Sequence, residues 1–204
     1  MKFIRRAKIR NFYSLVRAPQ PPFARLFTEI AARPGSLDER PCPGNKFAYI
    51  WRMDKQKFFA AEYLTLIRKL KGNEKPQWGV LSAQGMVEHM TDSIGIAWGR
   101  VVEPMVTPPE HLEKAKSFAM SDKEFRPNTK NTLMSETPAP LRHSSMEDAA
   151  HELENEVFLF LSYYDFNPDA VVANPFYGNL NYREWLHLLH KHATHHLKQF
   201  AVIN

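Results

Sequence analysis

Apolar residues recur at spacings of three and four in four stretches of the chain, and this periodicity predicts four amphipathic helices. The first runs from about Asp54, an N-cap residue type, to Lys71, with Phe59, Tyr63, Leu66 and Leu70 as its stripe and Gly72 placed to end it. The second starts near Ser82 and carries Met86, Val87, Met90, Ile94 and Ala97. The third opens with Ser144-x-x-Glu147, a capping-box pattern, and continues through Met146, Ala150, Leu153, Val157, Phe160 and Tyr164. The fourth begins at Asn181-x-x-Glu184, a cap of the same design, and follows Trp185, Leu188, Leu189, His192, His196, Phe200 and Ile203. No stretch alternates as a half-buried strand does, so the expected fold class is all-α, a four-helix bundle.

Proline sets the boundaries, because it removes a donor and breaks helices. Six of the fifteen prolines lie between Pro19 and Pro43 and six between Pro104 and Pro140. The second group predicts a long crossover between the second and third helices, with a short extra helix around Glu110–Met120. The first group, with the charge, separates residues 1–53 as a basic, proline-rich N-terminal extension from a bundle over residues 54–204.

The net charge of +5 is unevenly placed. Residues 1–53 hold eleven Lys/Arg against Glu29, Asp38 and Glu39, whereas the rest holds sixteen bases and nineteen acids. The bundle therefore has no cationic surplus of the kind nucleic-acid binding needs. The basic segment is expected to be a docked arm or tail, with binding to an anionic membrane or nucleic acid as the alternative. No run approaches the ~18 apolar residues of a transmembrane helix. The only cysteine, Cys42, can neither staple the fold nor build a thiolate metal site, and a reducing, cytoplasmic setting is expected.

Chemistry concentrates in the fourth helix, where five of the nine histidines fall within ten residues: His187, His190, His192, His195 and His196. Residues four apart differ by about 40° around a helix, so His192 and His196 project side by side from the apolar stripe. His187 and His190 point roughly 140–160° away and are expected in solvent, with His195 on the flank. Two imidazoles in an apolar core are costly unless their nitrogens are satisfied, by neighbouring carbonyls or by a divalent metal. His89, bordering the apolar face of the second helix, supplies a third ligand. His111, His143 and His151 are expected at the surface. A di-iron arrangement is rejected, because Glu184-x-x-His187 and Asp148-x-x-His151 fall on polar faces.

At these residues the sequence resembles the DinB-like superfamily of metalloenzymes. The carrying motifs are Trp78-Gly79-Val80-Leu81-Ser82 ahead of His89, Asn174-Pro175-Phe176-Tyr177-Gly178-Asn179-Leu180, and Lys191-His192-Ala193-Thr194-His195-His196-Leu197-Lys198-Gln199-Phe200. The last is similar to the subgroup whose final helix reads K-H-x-x-H-H-L-x-Q-F. The likeness covers about residues 54–204. It implies a four-helix bundle with a long crossover, often dimeric, and a histidine triad at His89, His192 and His196 binding zinc, nickel or iron. It further implies a small-molecule substrate and hydrolysis or thiol transfer, a low-molecular-weight thiol being one such partner.

Three neutral histidines leave a coordination position open, the catalytic rather than the structural pattern. A metal held so can lower the pKa of water, polarise a carbonyl or bind a thiolate. Asp92 and Glu88 are candidates for orienting the ligands, His195 for carrying a proton, and Gln199 for bonding toward the site or capping core carbonyls. Since ligand histidines must be deprotonated, metal affinity is expected to fall below about pH 6. The competing expectation is a catalytically silent binding or sensor bundle with a structural metal or none.

Overall fold

The computed structural model describes residues 55–204 except 130 and 136. The N-terminal extension and the Asp54 cap lie outside the described residues. Those described are mostly helical, with five helices and a small two-stranded hairpin. A π-helical turn, Phe58–Glu62, continues as α-helix over Tyr63–Ile67, and together they form α1. Then come α2 (Ala83–Ala97), α3 (Pro109–Met120), α4 (Met146–Phe166), β1 (Val171–Asn174), β2 (Gly178–Asn181) and α5 (Tyr182–Gln199).

The apolar stripes face inward as their spacing requires. Met86, Val87, Met90, Ile94 and Ala97 of α2 are fully buried, against Leu153, Val157, Phe160 and Tyr164 of α4 and Trp185, Leu188, Leu189 and Leu197 of α5. In α1 the π-helical turn shifts the face, so that Phe59, Tyr63, Leu64 and Ile67 are buried while Leu66 is only half so. That helix ends at Ile67, short of Lys71, and Gly72 follows in the left-handed conformation at φ +93°.

Caps define the other helix starts. Ser82 Oγ accepts from Gly85 N, and Asn181 with Glu184 forms a reciprocal capping box on α5. On α4 the cap is Ser145 rather than Ser144: its Oγ accepts from Asp148 N, while the Ser144 hydroxyl donates to the Asp148 carboxylate. The difference of one residue arises because Asp148, not Glu147, lies at the third helical position from the serine that bonds it. At its far end α5 stops at Gln199, four residues before Ile203.

The hairpin is absent from the sequence expectation. β1 pairs antiparallel with β2 from Val171↔Asn181 to Asn174↔Gly178, around the turn Pro175–Phe176–Tyr177. Asn174 Oδ1 accepts from the backbone of Phe176 and Tyr177, and Gly178 takes the positive φ that closes the turn. Trp185 Nε1 donates to Val172 O, fixing the hairpin to α5.

Two buried carboxylates tie α2 to the rest. Glu156 of α4 accepts from Trp98 Nε1 and Arg100 Nε, both at 2.7 Å, and the Arg100 guanidinium passes within 2.6 Å of where a Cβ on residue 95 would lie, so a larger residue there would displace it. Burial pushes the Glu156 carboxyl up, against the opposing pull of Arg100. Glu88 accepts from Arg142 N at 2.7 Å, His143 N at 3.0 Å and Gln84 Nε2 at 3.0 Å, so it pins the returning end of the crossover. Burial opposes its ionisation, but these donors hold its pKa below the usual value. Glu88→Ala strands two backbone donors and is expected to cost about 2 kcal/mol in urea denaturation. A loss below about 0.5 kcal/mol would show that water replaces those bonds.

Candidate metal centre

Helix α2 contributes His89 and α5 contributes His192 and His196. Their Nε2 atoms converge: His89 to His192 is 3.2 Å, His192 to His196 is 2.9 Å, and all three ligand atoms lie within 4.8 Å of one another. A metal about 2.0–2.1 Å from each nitrogen, at angles near 90–105°, requires neighbouring nitrogens about 2.9–3.3 Å apart. The two short spacings meet that requirement.

Hydrogen bonding selects the tautomer. Gln199 Nε2 donates to Trp78 O at 2.7 Å, which turns its Oε1 toward His196. His196 Nδ1 lies 2.7 Å from that oxygen and must donate, leaving a lone pair on His196 Nε2 aimed at the other two rings. A neutral His192 carries at most one hydrogen on Nε2, enough for one of its two short contacts. A cation accepts all three lone pairs together. Donor type, the two short spacings and the tautomer therefore fit a divalent ion, and the triad could hold one.

Electrostatics agree with a neutral ligand set. Burial pushes His89 down to about 4, with Asp92 opposing weakly, and pushes His196 down to about 3, helped by His89. His192 is driven well below its ordinary value by burial and then by its histidine neighbours. Neutral imidazole is the form that binds metal.

The triad lies in the lining of a cleft of about 530 Å³. Trp78, Ile96, Phe125, Phe176, Tyr177 and Leu188 give it apolar walls, and Asp92, Glu103 and Arg126 give it charge. The Phe125 ring lies 6.1 Å from that of His192. The three ligands thus face a space large enough for a small molecule.

The other candidates divide. Asp92 lies in the same cleft and is held by Arg142 at 3.2 Å. For Gln199 the two alternatives are a bond toward the site or a cap on core carbonyls; its side chain bonds to His196 Nδ1 and donates to the carbonyl of the half-buried Trp78. Glu88 turns away from His89 and serves the crossover. His195 is half-buried between Trp78 and Phe125, its ring 5.3 Å from that of His196. His187 and His190, expected in solvent, are covered: His187 is 6% exposed with Nε2 near Ser121 O, and His190 packs edge-on against Phe58 at 4.7 Å. α1 and the segment after α3 cover that face of α5, which its own periodicity cannot reveal. His111 and His151 are exposed as expected, whereas His143 is half-buried against Glu152.

Sequence reasoning left out Trp78 as a structural partner. Its carbonyl fixes Gln199, and the next residue, Gly79, has φ +79° with no room for a Cβ beside the Gln199 amide. Gln199→Leu keeps the volume but frees the His196 tautomer, and it is expected to lower zinc affinity about 10–100-fold. Competition with a chromogenic chelator measures this; unchanged affinity would remove Gln199 from the site.

The chain matches no protein-family model, no curated protein and no solved structure. No helix among the described residues is long and apolar enough to cross a membrane.

Proposed function

We propose that residues 54–204 form a DinB-like four-helix bundle, of α1, α2, α4 and α5 with a crossover carrying α3, and that the protein is a metal-dependent enzyme. His89, His192 and His196 hold zinc, nickel or iron with a position left open toward the cleft, and the reaction is hydrolysis of, or thiol transfer to, a small molecule. The observation that carries this reading is the convergence of three imidazole nitrogens in the lining of a cleft of about 530 Å³. Residues 1–53 are a separate extension; the single cysteine is in keeping with a cytoplasmic setting, and the resemblance suggests a homodimer.

When bound, the ion supplies Lewis acidity for activating water, a thiol or a carbonyl. The chain's residues do the rest. Gln199 keeps the His196 proton on Nδ1. In this reading Asp92, held by Arg142 in the cleft, takes a proton from a ligand, and His195 beside His196 is the second proton carrier. Trp78 and Phe125 exclude water around the ligand rings, which strengthens every charge interaction there.

The test is metal analysis of protein purified without chelators, followed by assays of thiol transfer and of ester and amide hydrolysis. About one equivalent of metal, with activity lost on chelation and restored by that metal, is the expected result. A stable protein that arrives metal-free, and that zinc, nickel and iron all leave unchanged, would favour the silent binding module.

A further inference from the structure

Three neutral histidines leave a bound divalent ion with its full double positive charge, so the cleft would favour an anionic ligand. The charged residues of its lining are Asp92, Glu103 and Arg126. Asp92 is engaged by Arg142, and Glu103 is an exposed residue of the loop between α2 and α3, which the bond from Val106 N to Pro175 O ties to the hairpin turn. Arg126 is different: its guanidinium makes no hydrogen bond or ion pair among the described residues, while its backbone is fixed by the turn in which Thr129 donates to Arg126 O. It lines the same cleft as the three histidines and directly follows Phe125, whose ring lies 6.1 Å from that of His192. Its neighbours in the lining, Asn128, Thr129 and Asn131, are neutral, and Asn128 Oδ1 and Asn131 Oδ1 are occupied by Gly79 N and Leu133 N.

We infer that the cleft takes an elongated small molecule with a carboxylate at one end, which Arg126 binds, an apolar middle along Phe125, and its reactive group at the three histidines. Arginine suits this because its planar fork matches both carboxylate oxygens. The inference rests on the metal reading above and narrows its substrate to carboxylic acids.

Adipic and suberic acid monohydroxamates and their methyl esters test it, titrated by calorimetry into zinc-loaded and metal-free protein. The hydroxamate engages the metal in every probe, and only the free acids offer a carboxylate to Arg126. Zinc-loaded wild type is expected to bind at least one acid about tenfold tighter than its ester, and Arg126→Gln to abolish the preference while leaving ester affinity unchanged. The unchanged ester also shows that the variant is folded. Zinc-dependent binding with no acid preference, or a preference that survives Arg126→Gln, overturns the inference and leaves the metal centre standing. Ester binding that ignores zinc overturns the metal centre itself, and this inference with it.

Discussion

Replacing any one of His89, His192 or His196 by alanine is expected to lower zinc affinity by roughly a hundredfold to a thousandfold, since each ligand carries a substantial share of a site worth about 10 kcal/mol or more. The metal-free fold should scarcely suffer. His196 is buried and His89 and His192 are partly so, two of the nitrogen contacts crowd one atom, and without a cation their burial is a cost that alanine relieves. The signature is therefore paired: lost metal, retained metal-free melting temperature. His151→Ala, at an exposed position on α4, should keep both. Thermal melts at rising zinc give the affinity, because a ligand at about 1,000 times its dissociation constant adds roughly 4 kcal/mol to wild type. A His196→Ala variant that still gains as much from zinc would place the ion elsewhere.

Local signals made the triad and its helices readable. The Asn181-x-x-Glu184 box starts α5 where the pattern places it, and the four-residue step from His192 to His196 fixes their shared direction once that helix exists. His89 needed one further premise, that α2 turns its apolar face toward α5, which its run of buried methionines and isoleucine satisfies. What stayed hidden depends on chain far away. Gln199 acquires its role from a carbonyl 121 residues earlier, and His187 is covered by a segment 66 residues before it. The hairpin strands have four residues each: Val171 and Val172 favour a strand, but Gly178-Asn179-Leu180-Asn181 does not, and neither run is long enough to show alternation; the Asn174 side-chain turn and Gly178 close the hairpin instead. The π-helical turn in α1 leaves no trace in periodicity. The cleft walls come from irregular stretches around Trp78, Phe125 and Phe176, where no repeat exists to be read.

Acid should unfold the metal-free protein. In the unfolded chain each triad histidine takes up a proton near pH 6.5, whereas in the folded chain His89 does so only at about 4 and His196 at about 3. Between those values the unfolded state binds more protons, so stability rises with pH; it is fully present above 6.5 and drains away as pH falls toward 4. For His89 alone the loss is on the order of 3 kcal/mol, and His192 and His196 add to it, a large part of the 5–15 kcal/mol typical of a domain. Urea denaturation in the presence of chelator, at pH 7.5 and pH 4.5, measures it. The variant carrying leucine at positions 89, 192 and 196 removes the titrating groups and should flatten the dependence. Proton competition with the metal follows the folded values instead. Affinity within the folded state should therefore hold below the pH of about 6 that free imidazole would suggest, and fall nearer 4, so zinc-loaded protein should survive acid that unfolds the metal-free form. Equal stability of metal-free protein at both pH values would show that the rings protonate freely in water, and a buried site could not be built from them.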